Sequence, residues 1–230
     1  MKIMKKIFLT LALAILSTVS AFAQLSEGSV SYSMDFETDD PDMEMALAMM
    51  AGSELNLYFK DDNTRADVSM GSMMNMVTIT NSKTEDFLML MDISMMGMKY
   101  GVKSTLAELE KNNDSEDVKM EVTLGKESKK ILGYKCKKAI ATDLEGNETI
   151  FWYTEEIEVN KRGQSYLNED VPGFPLEYEI MQGGMKITMV ATEFKEKIDK
   201  KTAKVLFDKT IPEGYEEKTL EDLMGMGSGM

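Results

Sequence analysis

The clearest pattern along the chain is an alternation of apolar and polar residues with a period of two. It first appears in the run Val30, Tyr32, Met34 and Phe36, whose members are separated by single polar residues. A period of two is the pattern of a strand with one buried face. Similar runs return as far as residue 193, separated by polar turns such as 60–64 and 183–184. Short strands joined by tight turns predict an antiparallel sheet.

Helical patterns are few and short. The acids around Pro41 predict a helix start, and Met43, Leu47 and Met50 would then share one face of a helix that ends at Gly52. Residues 104–111 predict a second short helix with Ser104 as its N-cap.

The balance of strands and helices predicts a mainly β protein, with a curled antiparallel sheet or half-barrel and short covering helices. Residues 204–207 are predicted to add a late strand. We expect a single domain over residues 24–215, followed by a flexible tail at 216–230 that is rich in Gly and Met.

Residues 1–23 have the pattern of a secretory signal peptide. A start with three lysines precedes an apolar run, and Ala21-Phe22-Ala23 fits the small-x-small rule for cleavage after Ala23. The sequence therefore predicts an exported protein, periplasmic or secreted. No later stretch has the roughly 20 apolar residues that a membrane-spanning helix needs.

The charge of the chain argues against two classes of partner. The formal net charge is -14, and removal of the three leader lysines takes it to -17. An acidic protein repels nucleic acid and anionic membrane surfaces, so neither is a predicted partner.

One predicted strand is apolar on both of its faces. In the run 84–91, Phe87, Met89 and Met91 fall on one face, and Leu88 and Leu90 fall on the other. Such a strand has to be covered on both sides. We expect a core on one side, and a helix, a partner or an acyl chain on the other.

Methionine is unusually abundant, with 23 residues concentrated around positions 43–50, 70–76 and 89–98. Three interpretations stay open. Methionine fills irregular gaps in a core, and it also lines adaptable apolar binding surfaces. Its thioether is also a ligand for the soft ions Cu(I) and Ag(I). The predicted lining of a hydrophobic ligand site is Leu57, Phe59, Met76, Phe87, Met89 and Met91. The predicted ligands of the alternative metal site are Met70, Met73, Met74 and Met76.

The sequence lacks the usual components of a catalytic site. It has no His and a single Cys, and it contains no GxSxG, P-loop or GxGxxG motif. Cys136 lies in an alternating strand, where a small buried side chain is expected. We therefore predict a protein that is not an enzyme and needs no cofactor.

The block ILGYKCKKAIATDLEGNETIFWYT at residues 131–154 resembles the GLPGLI family of exported Bacteroidota proteins, and a related exported family of unknown function resembles it more closely. The later run 171–177 (VPGFPLE) agrees only in part with the motif that names GLPGLI proteins. Gly28, Val30, Tyr32 and the stretch 59–65 also fit, so the resemblance spans residues 28–195.

The resemblance implies a fold similar to the LolA/LolB type of lipoprotein carrier, an incomplete antiparallel barrel whose concave apolar face holds acyl chains. The leading hypothesis is a non-enzymatic periplasmic binder or carrier of a lipid or an acylated protein. The alternatives are a Cu(I) or Ag(I) binding protein and a structural protein of the cell envelope. A large apolar cavity would favour the carrier, and a filled interior would favour methionine as core.

Overall fold

A computed structural model describes residues 26–112, 120–144, 146–157, 170–182 and 184–227. The predicted signal peptide lies outside these residues. Within these residues, twelve strands form one sheet, namely β1 (Glu27–Thr38), β2 (Glu54–Lys60), β3 (Asn63–Met70), β4 (Met74–Asn81), β5 (Asp86–Ile93), β6 (Met98–Thr105), β7 (Glu121–Ile131), β8 (Tyr134–Thr142), β9 (Glu148–Thr154), β10 (Phe174–Gln182), β11 (Met185–Lys195) and β12 (Glu216–Lys218).

In the described part of the chain, four short α-helices accompany the sheet. They are α1 (Glu44–Met50), which a 3₁₀ turn at Pro41–Met43 precedes, α2 (Leu106–Asn112), α3 (Lys200–Leu206) and α4 (Leu220–Gly227). None of the helices in the described part of the chain has the length and apolar character needed to cross a bilayer.

The strand order is β12-β6-β5-β4-β3-β2-β1-β11-β10-β9-β8-β7. Every pair is antiparallel except β12 with β6. β1 pairs with both β2 and β11, and so joins two series of hairpins into one sheet. Irregular register at Ser31/Tyr32, Pro175/Glu177 and Leu124/Ser128 adds local bends, because a bulge kinks a strand and increases its twist. The predicted mainly β fold, an open curled antiparallel sheet with few helices, is confirmed.

The inner face of the curled sheet carries the core. Alternate residues of β1 are buried, as the sequence pattern predicts. They pack with residues from β2, β8, β9, β10 and β11 in one apolar cluster, which includes Leu57, Phe151, Tyr153 and Tyr178. The Tyr178 ring lies edge-on to Tyr32, with ring centroids 6.1 Å apart, and stacks on Phe151 at 6.0 Å. The middle of the inner face is therefore filled with side chains.

The inner face continues across β3–β6 as rungs of directly opposed residues. One rung runs Leu57, Ala66, Thr78, Met89 and Val102. Opposed residues in an antiparallel pair project to the same face, so this rung lies on the inner face with Leu57.

The outer face of the same strands is covered by the C-terminal segment of the chain, residues 198–211. The Arg65 side chain donates to the carbonyl of Leu206 at 3.0 Å. Lys209 forms an ion pair with Asp86. A Cβ on Gly101 would lie 2.8 Å from Ile211 Cγ2, so this isoleucine packs directly on β6. Both faces of β5 are therefore buried at Phe87 and Leu88, where this chain itself supplies the outer layer, and Met89, Leu90 and Met91 are half-buried.

Two local predictions need correction. Residues 204–207 belong to helix α3 and not to a strand, because Asp199 caps the helix by accepting hydrogen bonds from the amides of Lys201 and Thr202. The N-cap of α2 is Thr105 and not Ser104. Thr105 Oγ1 accepts from the Glu108 amide at 3.1 Å, and the Glu108 carboxylate accepts from the Thr105 amide at 3.4 Å, which is a capping box.

The C-terminal residues extend the sheet. Within the predicted flexible tail, residues 216–218 pair with β6 and residues 220–227 form α4. The domain limits read from the sequence remain a prediction.

The residues behind the family resemblance have architectural positions. Gly133 lies in the β7–β8 turn at φ +90°. The backbone of Gly173 lies so close to the carbonyl of Thr154 that a Cβ would collide with it. Trp152 lies on the outer face beneath Lys129, whose Nζ is 4.3 Å from the ring centroid. The positive φ of Gly133 and the close backbone contact at Gly173 account for glycine at these two positions. The contact with Lys129 accounts for a large aromatic ring at Trp152. These explanations do not require a catalytic role for any of the three residues.

The two core tyrosines that meet edge-on differ in the state of their hydroxyl groups. Tyr32 donates to the carbonyl of Pro175 at 2.6 Å, whereas the buried Tyr178 hydroxyl has no hydrogen-bond partner among the described residues. Burial also raises the pKa of Tyr178. A buried hydroxyl without a partner keeps its full desolvation cost.

We therefore expect Tyr178→Phe to leave the free energy of unfolding unchanged or to raise it by up to about 1 kcal/mol. The matched variant Tyr32→Phe removes the hydrogen bond to the Pro175 carbonyl, so we expect it to lower the free energy of unfolding by about 1–2 kcal/mol. Urea unfolding followed by circular dichroism measures both. An equal loss in the two variants would contradict the difference between the hydroxyl groups.

Candidate functional site

Three connections between strands meet at one end of the sheet, and each of them is rich in methionine. Residues 39–53 join β1 to β2, residues 71–73 join β3 to β4, and residues 94–97 join β5 to β6. In an antiparallel sheet alternate connections fall at the same end, as the register of β1–β6 shows here. We call this end the methionine rim. The connections at the opposite end, residues 61–62 and 82–85, contain no methionine.

A groove opens at the methionine rim, between the β3–β4 and β5–β6 hairpins. Its volume is about 430 Å³, and its lining consists of Met70, Met73, Met74, Ile93, Met95 and Met96. We call this the Met groove. Five of its six residues are thioethers and the sixth is aliphatic, so no side chain of the lining offers a charge or a strong hydrogen-bond donor.

The backbone of the two hairpins shapes the groove. In the β3–β4 turn the amide of Met73 donates to the carbonyl of Met70 at 3.0 Å. In the β5–β6 turn the amide of Met96 donates to the carbonyl of Ile93 at the same distance. Gly71 and Gly97 adopt φ +54° and +64°, a region that L side chains rarely occupy. Each wall of the groove is therefore a tight turn closed by a glycine.

Helix α1 supports one wall from behind. The amide of Ser72 donates to the carbonyl of Met49, the penultimate residue of α1, at 3.0 Å. Gly71 lies against the same carbonyl, where a Cβ would collide with it. The β3–β4 turn is therefore held in place by a contact that only glycine permits.

The structure separates the six residues predicted to line a ligand site. All six are on the inner face, since register opposes Met76 to Met91, and Met89 lies in the rung that contains Leu57. Leu57, Phe59 and Phe87 are buried and pack as core. Met76, Met89 and Met91 are half-buried. Their role in ligand binding stays a prediction, and none of the six lines the Met groove.

The structure brings together three of the four predicted metal ligands. Met70, Met73 and Met74 line the Met groove, and Met76 does not. Met95 and Met96 stand opposite them and were absent from both predicted sites. The signal that would have found them is topological, because the β3–β4 and β5–β6 turns are alternate connections and share one end of the sheet.

Groups with catalytic potential lie elsewhere. Cys136 is buried in the core, and burial raises the pKa of its thiol to about 11. Burial and the nearby Glu196 raise the pKa of Tyr134 to about 12. Among the described residues, no group of three or more His, Cys, Asp or Glu side chains has the arrangement of a metal site.

The family whose model matches this chain is described as the N-glycanase peptide N-terminal domain, and the match covers residues 68–222. The resemblance to GLPGLI proteins is not confirmed. None of the curated proteins matches the chain.

Several solved structures are similar to the chain. PNGF-II is 19% identical with a TM-score of 0.48, and the similarity covers 87% of this chain and 33% of PNGF-II. The chain thus spans about a third of PNGF-II. An uncharacterized conserved protein from Thermus thermophilus is 12% identical with a TM-score of 0.48, over 90% of this chain and 98% of that protein. The Mycobacterium tuberculosis lipoprotein LppX is 10% identical with a TM-score of 0.36, and the similarity covers 83% of this chain and 97% of LppX.

The contact between α1 and the β3–β4 turn is expected to control the shape of the Met groove. Gly71→Ala places a methyl group against the Met49 carbonyl. We expect the free energy of unfolding to fall by about 1 kcal/mol because of backbone strain and by about 1–3 kcal/mol more because of the collision. Gly97 has a similar φ angle, but nothing lies within 4 Å of an added Cβ. We therefore expect Gly97→Ala to lower the free energy of unfolding only by the cost of the backbone strain. Urea unfolding of both variants checks this, and equal losses would show that the contact contributes nothing.

Proposed function

The chain belongs to the N-glycanase peptide N-terminal domain family, and we propose that it is a non-catalytic binding protein that holds an apolar ligand in the Met groove. The observation that carries this proposal is a half-open groove, lined by apolar side chains, at the end of the sheet where three methionine-rich connections meet. Its volume of about 430 Å³ lies within the roughly 300–1,000 Å³ typical of small-molecule sites.

The filled interior limits where such a ligand can bind. The aromatic residues of the inner face pack against one another in the middle of the sheet. A ligand is therefore expected at the methionine rim and not in the filled middle of the inner face. There it contacts side chains that are unbranched and flexible, and these adapt to the shape of what they bind.

The chemistry of the lining favours an acyl chain. The groove offers neither a charge nor a hydrogen-bonding side chain to orient a polar group, so its binding energy comes from burial of apolar surface, at about 25 cal/mol per Å². The acyl chain of a lipid or of an acylated protein fits this requirement. The signal-peptide pattern of residues 1–23 supports an exported carrier.

Two features support a role without catalysis. The only cysteine is buried and its thiol pKa is raised to about 11, so the thiolate form is scarce at neutral pH. The exposed Glu155 and the half-buried Asp92 form ion pairs with Lys137 and Lys99.

The decisive test replaces methionines of the groove with residues of similar length. Met73→Gln and Met95→Gln place an amide in the lining, whereas Met73→Leu and Met95→Leu keep it apolar. We expect the glutamine pair to weaken binding of a fluorescent fatty acid by about tenfold or more, because an amide loses its water on burial. The leucine pair should bind within about threefold of the unchanged protein.

Met45→Gln is the control for this test, because Met45 is exposed on α1 and does not line the groove. If the two glutamine substitutions leave the affinity for the fatty acid unchanged, the ligand binds outside the Met groove. Complete lack of binding, together with self-association in light scattering, would favour the structural envelope protein.

A second candidate function is binding of Cu(I) or Ag(I). The observation in its favour is that the groove gathers five thioethers, which are soft ligands for soft ions. Leucine substitution separates the two candidates, because leucine keeps the apolar surface and removes the sulfur.

If Cu(I) is the ligand, Met→Leu at the five groove residues 70, 73, 74, 95 and 96 should abolish competition with a Cu(I) chelator under reducing conditions. Fatty-acid binding should survive the same changes. A Cu(I) affinity that the five leucines leave unaltered would remove this candidate.

A further inference from the structure

The methionines of this chain differ strongly in their access to solvent. Met95 and Met96 are 62% and 51% exposed, although both line the Met groove. Met34, Met50 and Met189 are only 5–9% exposed. A dissolved oxidant therefore reaches the groove methionines of the β5–β6 turn directly and reaches the core methionines only when the sheet opens.

The turn itself keeps these two side chains at the surface. Residues 94–97 form a tight turn in which the amide of Gly97 donates to the carbonyl of Ser94 at 3.3 Å. The next methionine along the chain is different, because Met98 Sδ accepts a hydrogen bond from the Tyr100 hydroxyl at 2.8 Å. A sulfur lone pair that accepts a hydrogen bond is a weaker nucleophile, and Met98 is also less exposed, at 39%.

We propose that Met95 and Met96 form an oxidation site that switches the Met groove from apolar to polar. The oxidant is a hydroperoxide, such as hydrogen peroxide. The thioether sulfur attacks one oxygen of hydrogen peroxide, the O–O bond breaks, and that oxygen stays on the sulfur as a sulfoxide. The proton of that oxygen passes to the departing oxygen, which leaves as water. The sulfur loses two electrons and the peroxide gains them. Methionine sulfoxide reductases reverse the change.

Oxidation at this place changes what the groove can hold. A sulfoxide is polar and a strong hydrogen-bond acceptor, and the lining offers no donor side chain to satisfy it. An apolar ligand would cover the sulfoxide oxygens and remove their water, which costs free energy. Oxidation therefore releases an acyl ligand, an effect that rests on the proposed function, whereas the selectivity of oxidation rests on the geometry alone.

The experiment treats the full chain with limiting hydrogen peroxide and maps sulfoxides by peptide mass spectrometry. We expect Met95, Met96 and the exposed Met45 to oxidise at least about tenfold faster than the buried Met34 and Met189. Binding of a fluorescent fatty acid is measured before oxidation, after it and after treatment with methionine sulfoxide reductases. We expect oxidation to weaken binding by about tenfold or more and the reductases to restore it.

Matched variants assign the effect to these two residues. Met95→Leu with Met96→Leu keeps the groove apolar and should make fatty-acid binding resistant to peroxide. Met45→Leu should give no such protection, because Met45 lies outside the groove.

The outcomes separate this proposal from the proposed function. Equal oxidation of exposed and buried methionines would overturn the oxidation site, and unchanged affinity with Met95 and Met96 fully oxidised would overturn the switch. If the reduced protein binds no fatty acid, the proposed function fails and so does the release of a ligand. The oxidation rates of the individual methionines, measured by peptide mass spectrometry, still test the oxidation site in that case.

Discussion

The structure depends on burying both faces of strand β5 and its neighbours. Phe87 and Leu88 are adjacent residues that project to opposite faces, and both are buried. A two-sided apolar strand cannot stay at the surface of a sheet, because either face left in water would forfeit its burial free energy. On the inner face Phe87 is buried, whereas Met89 and Met91 further along the strand are half-buried. The outer face requires the chain to return, and residues 198–211 do so through contacts with Arg65, Asp86 and Gly101.

The most exposed methionines of β1–β6 and their connections lie beyond the strands or at their ends, at Met45, Met95 and Met96. The antiparallel order then divides the connections of β1–β6 between two ends of the sheet. Polar turns occupy one end and methionine-rich turns occupy the other. The Met groove is thus a consequence of topology acting on composition. Three clusters that are far apart in sequence become one surface because they occupy alternate connections. The exposure of Met95 and Met96 follows from the same arrangement.

Much of the fold was accessible from local patterns, and the groove was not. The period-two run from Val30 identified β1, and the two-sided run at 84–91 predicted the double covering. Residues 204–207 were misread because a short apolar run suits a strand or a helix equally, and the cap at Asp199 decides it. The predicted lining of the ligand site was chosen from the apolar faces of single strands. It therefore included Leu57 and Phe59, which are buried in the core. Finding the groove required knowledge of which turns are neighbours in space.

The proposed function places an apolar ligand at the methionine rim and not in the filled middle of the inner face. Selective labelling of methionine methyl groups with ¹³C, followed by NMR titration with a fatty acid, tests this claim most directly, because each methionine reports its own surroundings. If the ligand binds in the Met groove, we expect shifts confined to the methyl signals of the groove, with those of the buried Met34, Met50 and Met189 unchanged. Shifts concentrated in the buried set, or no shift in any signal, would contradict it.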